Sequence, residues 1–132
     1  MRTILILVTV GLLSCSGQKV LETHDSPTGD FVLQVLLGDR NDSKDKYILS
    51  FKLLDKKGKE LDYHRTLASD VMKWAVTWYN DTTIILDSHD VGTYGWIVDS
   101  GRLKAMNVVP RNMEDKCIEA FKTKYGTHGI QH

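Results

Sequence analysis

The sequence predicts a mainly β domain, an antiparallel β-sandwich or part-barrel of about seven strands with one C-terminal helix. Three observations predict it. Apolar residues recur with period two in a series of short runs, as strands half-buried on one face require. The runs are separated by short polar stretches rich in Asp, Asn and Gly, too brief for βαβ crossovers, so neighbouring strands pair antiparallel. A period near 3.6 occurs in one stretch only, after Pro110.

Met1-Arg2 places a positive charge at the start, and residues 4–13 form an apolar run. The run is shorter than the roughly 20 residues that a membrane-spanning helix needs. A charged start, a short apolar stretch and small residues after it make a secretory signal peptide over residues 1–14. Residues 15–28 read as a polar tether, and residues 29–132 as a single β-rich domain. Ser26-Pro27-Thr28-Gly29-Asp30 is a turn, with Pro fixing one φ and Gly permitting a positive one.

Phe31, Leu33, Val35 and Leu37 share the inward face of the first strand. Residues 38–46 are a charged loop. Tyr47, Leu49, Phe51 and Leu53 share a face of the second strand, opposite Ser50 and Lys52. Asp55-Lys56-Lys57-Gly58-Lys59 is a hairpin turn, and its basic tip reads as solvated. Residues 61–67 form a more polar strand, expected at an edge. Trp74, Val76 and Trp78 alternate with Ala75 and Thr77, whose face is expected to meet solvent. Asn80-Asp81 turns the chain into residues 83–88. Tyr94, Trp96 and Val98 alternate next, with Gly95 marking a bulge or a close backbone approach. Asp99-Ser100-Gly101-Arg102 turns into a last strand over residues 103–109. In the helix Asn112 is the expected cap, Glu114 and Asp115 favour its positive end, and Gly126 stops it. Met113, Cys117, Ala120, Phe121 and Tyr125 lie on one side, expected to pack on the sheet.

Leu12-Leu13-Ser14-Cys15 resembles the lipobox of bacterial lipoproteins. The resemblance implies that Cys15 carries the lipid, palmitate included, as first residue of the mature chain. It makes the membrane a partner through that anchor. Ser16 is not the aspartate tied to inner-membrane retention, so the resemblance implies an outer-membrane protein of the cell envelope facing the periplasm. Cleavage near Ser16-Gly17 is the other reading of the same stretch. Ser26-Pro27-Thr28-Gly29-Asp30-Phe31 and Trp78-Tyr79-Asn80-Asp81-Thr82 resemble the hairpin punctuation of propeller blades in periplasmic TolB-like proteins, from which Thr28 and Asp30 depart. A propeller needs at least four blades, and no third copy follows. The mature domain resembles small lipoproteins of unknown function with one such SPDGK-like unit, which supply no catalytic residues to transfer.

Lys+Arg and Asp+Glu each number 17, and removing Arg2 leaves one net negative charge. Nucleic-acid binders carry a basic excess, so no nucleic-acid partner is expected. Of the two cysteines, Cys15 is assigned to lipid, and Cys117 reads as a buried apolar residue. No metal-type Cys/His spacing occurs, and no cofactor is expected.

Three clusters are candidates for function. His64, Asp87 and His89, with Asp70 and Asp90 nearby, could serve a small envelope hydrolase or bind a metal; a Ser88–His64–Asp70 triad is a variant without a nucleophile-elbow glycine pattern. Trp74, Trp78, Tyr94 and Trp96 form either an aromatic platform or a core. Loops 38–46 and 89–92 could select a partner. The leading expectation is a non-catalytic binding module for an envelope protein or polymer. Inhibition of an attacking enzyme, as lysozyme inhibitors do, is the remaining alternative.

Overall fold

A computed structural model describes residues 18–38 and 46–126. The signal stretch, the lipobox with Cys15, residues 39–45 of the first long loop and the tail after Gly126 lie outside these residues.

The domain is a sandwich of two antiparallel four-stranded sheets with one C-terminal helix. The first sheet has the order β1 (Lys19–Asp25), β2 (Phe31–Leu37), β3 (Ile48–Asp55) and β4 (Glu60–Ser69). The second has β5 (Trp74–Asn80), β6 (Thr83–Ser88), β7 (Gly92–Asp99) and β8 (Arg102–Ala105). Every connection within a sheet joins spatial neighbours, as a meander built from hairpins requires.

All seven expected strands are present, and β4 lies at an edge as its polar sequence requires. The eighth corrects the tether: Lys19–Asp25 pairs with β2, with a bulge between Val20 and Glu22. The last strand is also corrected. It stops at Ala105 rather than continuing to Val109.

Leu33, Val35, Leu49, Phe51 and Leu53 of the first sheet meet Trp74, Val76, Trp78, Ile84, Leu86, Trp96 and Val98 of the second. Period two places each set on one face, and burying those faces against each other is the main driving force. Tyr47 departs from its expected face, because β3 begins only at Ile48 and leaves Tyr47 exposed.

The helix α1 (Arg111–Tyr125) lies across the outer face of β5 and β6. Ala75 is therefore buried beneath it and does not meet solvent. Asn112 does not cap the helix. Pro110 occupies that position without a side-chain bond, and the Asn112 amide donates to the Tyr79 hydroxyl instead. Gly126 ends the helix at φ 76°, a conformation open to glycine without steric penalty.

Two seams close the sandwich. Along β1 and β5, the Trp78 indole N–H donates to the His24 carbonyl at 2.9 Å, and Thr28 donates to Asp81. The two turn segments that resemble propeller punctuation thus meet. Along β4 and β8, the Leu103 N–H donates to an Asp62 carboxylate oxygen at 2.8 Å, with Arg102 beside it.

Candidate functional site

The structure separates the polar cluster expected to carry chemistry. His64 points into the sandwich, where its Nε2 accepts a hydrogen bond from the Trp96 indole at 3.2 Å. Asp87 and His89 lie on the other side of the second sheet, under the helix. Thr93 donates to Asp87, and the His89 ring stacks on Phe121 at 5.0 Å. A β-sheet stands between His64 and the other two. Ser88 donates to Asp90, while Asp70 accepts the Trp74 indole N–H at 2.7 Å, so the drawn triad is not assembled either. Among the described residues, no three His, Cys, Asp or Glu side chains stand close enough to hold a metal.

The aromatic group resolves as core. Trp74, Trp78 and Trp96 are each at most 6 % exposed. Phe31 stacks on Trp78, and Phe51 and Tyr94 meet Trp96 edge-on. All three indole N–H groups find acceptors inside the fold, which removes the cost of burying them.

Cys117 is fully buried, with its thiol against the main-chain oxygens of Ala75 and Ile85. Burial, with the Asp87 carboxylate adding to it, pushes the thiol pKa up to about 12. A thiol so held is not a nucleophile at neutral pH.

The site that the structure does assemble is a cleft of about 470 Å³ on the β4–β8 side. One wall is β4, from His64 to Leu67; the floor is β7, from Thr93 to Trp96; the other wall is Ala105, Met106, Asn107 and Val109. It exists because β8 is short. In the β7–β8 hairpin Asp99 pairs with Arg102, and pairing continues to Trp96 with Ala105. The Met106 N–H then donates to the Gly95 carbonyl at 2.8 Å. Alternation sends the Thr93 N–H and C=O to that same side, where β8 has already ended.

Gly95 makes the geometry possible. A Cβ there would stand 2.8 Å from the Met106 sulfur and 3.4 Å from Ile85 and Val109. Its absence lets the segment after β8 lie close on β7 and turn towards the helix. Burial lowers the His64 pKa, although Asp62 pulls it up. The ring therefore stays neutral at pH 7, which suits Nε2 as an acceptor, since protonation would set its new N–H against that of Trp96. Tyr94, Met106 and Val109 supply apolar surface; His64, Asn107 and the Thr93 main chain supply polar atoms.

Sequence reasoning joined Tyr94 and Trp96 in the aromatic group but did not connect them with His64 or Gly95. In loop 89–92, Asp90 accepts from the Ser69 N–H. Comparison with protein-family models, with curated proteins and with solved structures finds no match to this chain.

Proposed function

We propose that the chain is a non-catalytic, lipid-anchored protein of the cell envelope that binds an extended segment of another envelope protein beside β7. The observation that carries this reading is the early end of β8. It leaves the Thr93 main chain facing a cleft where a further strand would lie. Strand addition draws affinity from main-chain hydrogen bonds and specificity from pockets for alternate side chains. The cleft's 470 Å³ falls within the range of about 300–1,000 Å³ common for ligand sites. The anchor rests on Leu12-Leu13-Ser14-Cys15, and the outer membrane on Ser16.

Site-directed photocrosslinking in intact cells tests the cleft. A photoreactive residue at Leu67 or at Asn107 is expected to capture the same protein, and one at Lys57 is not. Ala105→Trp, at an exposed position on the cleft wall, is expected to abolish both adducts. Capture from Lys57 as well, or adducts indifferent to Ala105→Trp, overturns the reading. Palmitate labelling that persists in Cys15→Ser overturns the anchor.

A further inference from the structure

Among the described residues, the two ends of the sandwich differ in polarity. One end carries the hairpin tips 26–30, 55–60, 80–83 and 99–102, which are polar or charged throughout. The other end gathers the start of β1, the entry to β3, the β4–β5 connection and the β6–β7 turn. Exposed apolar side chains collect at this second end: Tyr47 at 53 %, Val71 at 70 % and Met72 at 44 %. They are neighbours, since the Asp70 N–H donates to the Tyr47 carbonyl and Val71 and Met72 follow directly. Leu67, also exposed, lies between this patch and the cleft.

Lys46 extends over the Tyr47 ring and Lys73 over the Tyr125 ring. Among the described residues, the exposed Asp70 and Asp90 carboxylates accept from donors of the fold: Asp70 from the Trp74 indole, and Asp90 from Ser69 and Ser88. Apolar tips rimmed by lysines match the boundary between acyl chains and anionic headgroups, where Lys stems lie along apolar surface and ammonium groups reach the phosphates.

The chain's own connectivity selects the occupant. Gln18 stands at this same end, where its amide donates to the Gly38 carbonyl. Cys15 precedes it by three residues, a contour of at most about 10 Å. We infer that Tyr47, Val71 and Met72 form a membrane-docking face that seats the domain on the lipid surface holding its anchor. This deepens the proposed function and rests on its anchor. Docking this end turns the basic Lys56-Lys57-Gly58-Lys59 tip away from the bilayer.

Nitroxide labels on the full chain test the inference in vesicles of phosphatidylethanolamine and phosphatidylglycerol. Val71→Cys and Lys57→Cys each add an exposed thiol, while Cys117 is sealed. The label at position 71 is expected to lose access to a water-soluble nickel relaxant on vesicle binding, and the label at 57 to keep it. Tyr47→Asp with Met72→Asp is expected to restore access at 71 by about tenfold. Equal access at both positions overturns the docking face, as does shielding at 71 that needs an added protein or appears without lipid. Acyl analysis of Cys15 in the same sample separates the two ideas. An acylated chain with position 71 open leaves the anchor and removes the face; an unacylated chain with position 71 shielded only on vesicles does the reverse.

Discussion

At the scale of single residues, His64 and Asp62 have opposite reasons to be where they are. Burial depresses the His64 pKa below 6.5. In the unfolded chain the ring takes a proton as pH falls through 6.5, while in the fold it does not until a lower pH. The unfolded state then binds more protons, so His64 draws stability down as pH falls from 6.5 to its folded value, and has no effect above. His64→Gln is expected to flatten that part of the stability–pH curve, read by urea unfolding at a series of pH values; an unchanged slope would contradict the assignment. Asp62 works through its acceptor oxygens, which hold the Leu103 N–H at 2.8 Å. Asp62→Ala leaves that donor without its acceptor, at a cost of about 1–3 kcal/mol. Asp62→Asn keeps an oxygen in place and is expected to lose much less, since the exposed Arg102 pair is worth only about 0–1 kcal/mol.

At the scale of elements, the helix is held to the sheet at both ends by different means. Near its start, Asn112 reaches Tyr79. Near its end, Lys124 donates to the Trp74 carbonyl, lies over the Trp74 ring and pairs with Glu22 of β1 at 2.9 Å. Burial raises the Glu22 pKa, but hydrogen bonds from His24 and Lys124 outweigh it and leave it lowered. Between these ends the attachment is apolar. Phe121 is 1 % exposed, against His89 and Tyr125. Phe121→Ala is expected to cost about 3–5 kcal/mol by thermal or urea unfolding, and to make the Cys117 thiol reactive towards a disulfide reagent under native conditions. The helix stripe, from Met113 to Tyr125, was legible in the sequence because its period differs from that of the strands. Its cap was not. A cap depends on where the incoming chain turns, and Gly95, a distant residue, sets that path. The cleft was illegible for the same reason. Residues 103–109 are as apolar as a strand, and nothing in their composition marks the stop of β8 at Ala105.

At the scale of the whole molecule, the strand missed in the sequence closes one side of the sandwich. Lys19–Asp25 offers the core a single inward apolar residue, Leu21, and a bulge breaks its alternation. Such a run carries no period to read. Its contribution is instead main-chain pairing with β2 and the acceptor for the Trp78 indole. A chain starting at residue 29, the boundary that composition suggests, exposes the β2 edge and leaves that indole without its acceptor. It is expected to melt at lower temperature than a chain starting at residue 16 and to aggregate more readily through the open edge. Equal melting would show β1 to be dispensable. The seven other strands were legible because each brings inward residues to a two-layer core, where alternation and burial coincide.

The seal over Cys117 also has a meaning in time. Cys117 is carried by the helix that follows both sheets among the described elements, so the sheets can assemble while the thiol still stands open. In an oxidising compartment that interval is a window for mixed disulfides, and helix docking is the event that shuts it. A thiol sealed by the docking of its own helix thus depends for its protection on the speed of that docking.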